Sequence, residues 1–272
     1  ILAQGFWLGP PALAVKPRRL IAPRPRAMSS CCPPGSWPAL VESEKYEGKG
    51  AEDKIDDVPV YISGTPGEKA VMILPDIFGW TTNKGRFKGI ADTFAEAGFY
   101  TLLVDPFKGD SAVGKDDVLG WIKEYPWDKV SPSIEASHKF LLEKGCKNIG
   151  VVGFCWGVWA FCKANSLGTP FTCGIGPHPS TKLEGLCFGG DEQQMIDKVS
   201  MPVLILPAGN DPDTLKEGGA AATSLIAKGG KTVTFPDMSH GWVSRGDLAD
   251  AAVKRDVELA MKAMVDFAKE KL

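Results

Sequence analysis

From residue 58 onward the chain alternates short, continuous apolar runs with stretches whose apolar residues recur at helical spacing. Apolar runs of four to eight residues bounded by turn residues predict strands, and apolar positions at i, i+3, i+4 and i+7 predict helices that lay one face on them. Strands are predicted over 58–63 (VPVYIS), 70–75 (AVMILP), 100–107 (YTLLVDPF) and 148–154 (NIGVVGF), with further strand ends in 172–180, 201–209 and 231–240. Helices are predicted where Phe87, Ile90, Ala91 and Phe94 share a face, over 133–145 up to a glycine stop, through WGVWAFCKANS after residue 155, and over 215–228. A last helix carries Val253, Val257, Ala260, Met261, Met264 and Phe267 on one face. Buried strands alternating with helices predict an α/β fold, with a mostly parallel central sheet and helices on both faces. Chemistry in such sheets collects at the C-terminal ends of the strands.

Composition narrows this picture. A chain of 272 residues has room for one substantial core, so a single domain is expected over 35–272. Thirty-one basic against thirty-three acidic side chains, a net charge of −2, give no polyanion-binding signature, so nucleic acid is not an expected partner. No apolar run approaches eighteen residues, so no membrane association is expected either. Seven cysteines without disulfide-like spacing point to a reducing, cytoplasmic setting, and the absence of C-x-x-C pairs with only three histidines argues against a metal site. No cofactor is implied; the expected partner is a small-molecule substrate, and the expected state a monomer, with a homodimer as the alternative.

Residues 1–34 read differently, as a basic, proline-rich extension. They carry Lys16, Arg18, Arg19, Arg24 and Arg26, with no acidic residue before Glu42 and five prolines by residue 25. Two readings stand side by side: a transit peptide for plastid or mitochondrion, or a stretch upstream of a true start at Met28. The segment CCPPGSWPAL is expected to be an extended lead-in, with Cys31 and Cys32 as ordinary exposed thiols.

The residues 153–157, GFCWG, place Cys155 between two glycines where a predicted strand meets a predicted helix. A nucleophile on such a turn needs small neighbours because the backbone is sharply bent, which is the mechanical content of G-x-S-x-G. The helix start lowers a thiol's pKa and turns the amide of Trp156 toward an oxyanion. A cysteine nucleophile also needs a base and an orienter. Asp211 follows one predicted strand and His240 the next, so the order Cys155, Asp211, His240 matches a triad, with Asp213 as a rival to Asp211. His178, at a strand end, is a candidate to line the pocket; His138 is expected on an exposed helix face, and Cys162 in the core.

Four stretches, PDIFGW, VDPFKGD, GFCWG and SHGWVSRGD, resemble the dienelactone hydrolase family of α/β-hydrolases over roughly residues 35–272. The resemblance implies a Cys–His–Asp triad that opens cyclic enol-lactones, with Cys155 as nucleophile, His240 as base and Asp211 as its partner. It implies that the amides of Ile77 and Trp156 form the oxyanion hole, and that Asp76 stands where bacterial members use a glutamate to help ionise the thiol. Arg245 would bind a substrate carboxylate, with Lys108 in place of a bacterial arginine, which keeps the charge but loses the bidentate fork. Trp80, Phe107, Trp156 and Trp242 would wall the pocket.

The function expected from these readings is hydrolysis of a small carboxylated lactone or activated ester through a thioester intermediate. A thioesterase or general carboxylesterase on the same triad is the enzymatic alternative. A binding or scaffold protein with Cys155 as a redox-sensitive thiol is the non-enzymatic one.

Overall fold

The computed structural model describes residues 32–40, 45–83 and 85–272. The proposed transit-peptide or upstream stretch, and Cys31, lie outside the described residues. In chain order the elements are β1 (Ala51–Ile55), β2 (Val58–Ser63), β3 (Lys69–Leu74), α1 (Arg86–Glu96), β4 (Tyr100–Val104), α2 (Val118–Lys123), α3 (Trp127–Glu143) and β5 (Asn148–Gly153). There follow α4 (Trp156–Ser166), β6 (Cys173–Pro177), α5 (Leu183–Phe188), α6 (Glu192–Lys198), β7 (Val203–Leu206), α7 (Ala220–Ile226), β8 (Lys231–Thr232), α8 (Trp242–Arg245) and α9 (Ala251–Lys271). The strands form one sheet in the order β1-β2-β4-β3-β5-β6-β7-β8. The pairs β1/β2 and β2/β4 are antiparallel and all others parallel, as the continuous apolar runs predict.

Side-chain alternation along the strands divides the core into two layers. Val71, Ile73, Leu103, Val152, Ile175, Leu204 and Leu206 pack against Phe87, Ile90 and Phe94 of α1 and Val257, Ala260, Met264 and Phe267 of α9. Their neighbours Met72, Leu74, Leu102, Val104, Val151, Val203 and Ile205 face Val130, Ile134 and Leu141 of α3 and Val158 and Phe161 of α4 on the other side. The carboxylate of Asp250 caps α9 by accepting from the Ala252 and Val253 amides at 2.8 and 3.3 Å, which fixes where the last helix begins.

Several expectations are corrected. The exposed strand β1 has no apolar run to announce it and forms only by pairing with β2. The strand expected over 100–107 ends at Val104, because the Asp105 carboxylate accepts from the Phe107 and Gly109 amides at 3.1 and 2.8 Å and turns the chain. Helix α3 begins at Trp127 and runs through Pro132, forgoing one backbone hydrogen bond within a long amphipathic helix. The helix expected over 215–228 shortens to α7, since a Cβ on Gly219 would meet the Asp213 carbonyl oxygen at 2.2 Å and the chain folds back there. The expected last strand pairs only over Lys231–Thr232, with an isolated bridge between Ala208 and Phe235. His138 is buried rather than exposed, edge-on to Phe171 at 5.3 Å.

Candidate active site

Cys155 occupies the turn between β5 and α4 with φ 53° and ψ −107°, a left-handed conformation that costs on the order of 1–3 kcal/mol for a residue with a side chain. Both flanking glycines are required by close approach. A Cβ on Gly153 would lie 2.3 Å from the Gly157 backbone, and one on Gly157 would lie 2.5 Å from the Leu74 carbonyl oxygen on β3. The turn is pinned on its other side by β6, where the Cys155 amide donates to the Pro177 carbonyl at 3.4 Å and the Ser180 amide donates to the Cys155 carbonyl at 3.1 Å.

The loop after β7 brings Asp211 and the loop after β8 brings His240 to the same end of the sheet. Nδ1 of His240 lies 2.6 Å from Oδ1 of Asp211, both side chains fully buried. The other Asp211 oxygen accepts from the Ala208 amide at 2.7 Å, so the carboxylate is held from two directions. Asp213, the rival, is exposed and paired with Lys216 at 2.8 Å. The backbone of His240 is fixed by Asn210, whose Oδ1 accepts from the His240 amide at 2.7 Å.

The electrostatics of the cluster favour charge separation. Burial alone pushes the Cys155 thiol up, but the neighbouring Cys32 thiol and the positive charges of His240 and Arg245 outweigh it and hold the thiol well below its ordinary range, although His240 Nε2 itself has no hydrogen-bond partner among the described residues. Burial pushes His240 down, yet the neighbouring Asp211 carboxylate and Cys155 raise it to about 9. The cluster thus draws Cys155 toward its thiolate form and His240 toward its protonated form. His178 behaves in the opposite way: buried, and beside the charges of His240 and Arg245, it is held well below the usual histidine range and stays neutral.

A second buried pair flanks this one. Arg245 Nη1 donates to Asp76 Oδ2, Ser244 Oγ donates to the same oxygen at 2.8 Å, and the Phe78 amide donates to Asp76 Oδ1 at 2.9 Å. Arg245 Nη2 is buried and has no hydrogen-bond partner among the described residues. Ser244 Oγ also lies 3.4 Å from Nε2 of His178, whose ring meets those of His240 and Trp242 edge-on at 5.1 and 5.5 Å. His178 and Trp242 thus pack behind the base. Phe107 packs on Trp156 at 4.6 Å, within an aromatic cluster that includes Trp121 and Tyr125, and Trp80 is buried with the α1 and α9 layer. Lys108 departs from expectation: it is half-exposed and paired with Asp57 at 2.6 Å in the β1–β2 turn, because the tight Asp105 turn directs it away from the buried cluster. Ile77 is buried beside Asp76, and Trp156 is the first residue of α4, so its amide has no carbonyl four residues back within the helix.

Sequence reasoning missed three residues of the cluster. Ser180 Oγ, which follows the end of β6, lies 3.3 Å from Cys155 Sγ, and Ser244 of α8 reaches the cluster through Asp76 and His178 rather than through the thiol itself. The third is Cys32, expected to be exposed and in fact fully buried. The 32–40 segment crosses the triad, with the Trp37 amide donating to the His240 carbonyl at 2.9 Å, Arg245 Nε to the Trp37 carbonyl at 3.1 Å and Asn210 Nδ2 to the Pro34 carbonyl at 3.1 Å. These partners are more than 170 residues apart, so no local pattern announces the contact. Cys155 is only 1% exposed. Cys32, Cys155 and His240 present donor atoms within 4.8 Å of one another, a set able to hold a thiophilic metal ion, although such an ion would occupy the nucleophile and base themselves.

Comparison with known proteins bears on this arrangement. The model of the dienelactone hydrolase family matches residues 57–272. A carboxymethylenebutenolidase homolog from Homo sapiens is 26% identical over 239 residues, 84% of this chain and 90% of that protein. Hydrolase tropI from Talaromyces stipitatus is 26% identical over 241 residues, 82% of this chain and 90% of its own. Among solved structures, the Pyrococcus furiosus esterase Pf2001 superposes with a TM-score of 0.56 at 16% identity, over 87% of this chain and 99% of that one. Est1E from Butyrivibrio proteoclasticus does so with a TM-score of 0.53 at 14% identity, over 77% and 93%.

Proposed function

The chain belongs to the dienelactone hydrolase family and is a carboxylic ester hydrolase of the α/β-hydrolase fold, and from that premise we propose that it opens a small carboxylated lactone or activated ester through Cys155, His240 and Asp211. The Cys155 thiolate attacks the carbonyl carbon, and the oxyanion that forms rests on the amides of Trp156 and Ile77. His240 gives its proton to the leaving alkoxide or enolate. Once the thiol is acylated, the negative charge that helps hold the proton on His240 is gone, so the imidazole becomes a better base for the water that hydrolyses the thioester. Asp211 keeps Nδ1 protonated and Nε2 directed at the reaction throughout.

The observation that carries this reading is the buried Asp211–His240 contact of 2.6 Å beside a thiol seated on a left-handed turn. A substrate carboxylate has a donor waiting in Arg245 Nη2, and taking it up would draw Arg245 away from Asp76. A thiolate is a good nucleophile whose thioester must still hydrolyse, so substrates with good leaving groups suit it better than amides. The test is a panel of dienelactones, aryl esters and acyl thioesters, with wild type, Cys155→Ala and His240→Ala followed by absorbance. Lactone opening lost in both variants supports the proposal; preference for acyl thioesters would select the thioesterase alternative, and turnover retained by Cys155→Ala would remove the thiol from the mechanism.

A further inference from the structure

Hydrolysis has no need of a second thiol, yet the chain lays one on the first. Cys32 is fully buried, and its sulfur lies within 4.8 Å of Cys155 Sγ and of a ring nitrogen of His240. An S–S bond is about 2.05 Å long, so the two sulfurs need to close by less than about 3 Å to reach bonding distance. The segment that carries Cys32 lies outside any helix or strand, and it is held at the rim of the site by hydrogen bonds of its Trp37 and Pro34 backbone with His240, Arg245 and Asn210.

We propose that Cys32 is a resolving thiol for Cys155: a hydroperoxide oxidises Cys155, and the Cys32–Cys155 disulfide that follows switches the hydrolase off and ties the 32–40 segment across its site. The proposal rests on the reading of Cys155 as an ionised nucleophile. The Cys155 thiolate attacks one peroxide oxygen and breaks the O–O bond, becoming a sulfenic acid while hydroxide leaves and takes a proton from His240 as water. Cys32 then attacks the sulfenic sulfur, its proton leaving with the departing hydroxide as a second water. Two thiols supply two electrons, the hydroperoxide accepts them, and a dithiol reductant returns the pair.

Selectivity follows from the surroundings. Burial pushes the Cys146, Cys162 and Cys173 thiols up, Cys173 to about 12, so they stay protonated and slow toward peroxide. Ser180 Oγ, the other neighbour at 3.3 Å, cannot form a disulfide. Any opening of the 32–40 segment that admits a lactone also admits a molecule as small as hydrogen peroxide. Without a resolving thiol the sulfenic acid would proceed to sulfinic acid, which dithiols do not reverse; the neighbouring Cys32 diverts it into a recoverable form.

The test treats the full chain with hydrogen peroxide, blocks remaining thiols by alkylation and maps peptides by mass spectrometry, with aryl-ester turnover measured before oxidation, after it, and after dithiothreitol. The expected result is a cross-linked peptide pair joining Cys32 to Cys155 in wild type and in Cys31→Ser, and none in Cys32→Ser. Relative to its own starting rate, wild type should recover at least about fivefold more turnover than Cys32→Ser, whose Cys155 should be found as sulfinate. Sulfinate at Cys155 of wild type without the cross-link, or a link confined to Cys31 and Cys32, overturns the proposal. The wild-type peptide map decides this even if Cys32→Ser does not fold. The catalytic reading fails separately, through ester turnover that survives Cys155→Ala.

Discussion

His240 Nδ1 and Asp211 Oδ1 stand 2.6 Å apart with neither side chain reaching solvent, while Asp213, two residues on, is at the surface with Lys216. The buried carboxylate fixes the imidazole tautomer and stabilises its charge, so Asp211→Asn should keep the fold and lower kcat by roughly 10³–10⁴-fold. Asp213→Asn should change kcat by less than about twofold, since exposed pairs contribute little. Steady-state turnover of an aryl ester, with circular dichroism to check folding, separates the two; equal losses would remove Asp211 from the triad.

Proton affinities give a second prediction with a definite sign. The Cys155 thiol is held well below its ordinary range and His240 is raised to about 9, so between those limits both are ionised. The rate of Cys155 alkylation by iodoacetamide should climb at a pH well below the ordinary cysteine value, as the thiol ionises, and be flat from there up toward the pH of about 9 at which His240 loses its proton. In His240→Gln the nearby positive charge is gone, and the climb should move upward toward the ordinary cysteine value of about 8.5. Rates read by peptide mass spectrometry check this; a wild-type climb near that ordinary value would contradict the ion pair.

How much of this was legible in the sequence depends on the range over which each signal acts. The parallel strands and the helices α1, α4 and α9 followed from apolar periodicity, because each buries a face set by its own residues. Cys155, Asp211 and His240 could be nominated because each follows a strand, and strand ends converge in this architecture. β1 was illegible, since it is exposed and held only by its partner strand. Cys32 was illegible for a related reason: its burial depends on contacts with Asn210, His240 and Arg245, which lie far along the chain. Lys108 was misplaced because a family position says which residue occupies a loop, and the Asp105 turn decides where that residue points.

The Asp76–Arg245 pair yields a third prediction. Both side chains are about 1% exposed, and removing one partner leaves a charge buried without its counterpart. Asp76→Ala should destabilise the protein by about 3–5 kcal/mol. Asp76→Asn combined with Arg245→Met removes both charges and should lose less than the sum of the single changes, because no uncompensated charge remains. Urea denaturation of the four proteins checks the cycle; strictly additive losses would mean the two side chains do not act as a pair.

The last prediction concerns the turn that presents the thiol. Gly157 lies one residue into α4, and an added Cβ there would meet the Leu74 carbonyl oxygen at 2.5 Å and the Pro75 carbonyl oxygen at 3.0 Å. Neither atom can give way alone, since both belong to the backbone leading out of the central strand β3. α4 must therefore move off the sheet, carrying the Trp156 amide with it. Gly157→Ala should cost about 2–4 kcal/mol in stability, although alanine is the better helix former by about 1 kcal/mol. Gly67→Ala, at an exposed turn where the nearest atom to a new Cβ is 4.0 Å away, should fall within about 0.5 kcal/mol of wild type. The displaced amide adds a kinetic signature: an oxyanion donor acts on the transition state rather than on the bound ester, so kcat should fall well before KM changes. Thermal denaturation with steady-state kinetics on the same preparation tests both parts. A Gly157→Ala protein with wild-type stability would mean that α4 does not approach β3 closely, and a rise in KM at constant kcat would mean that the Trp156 amide serves ground-state binding.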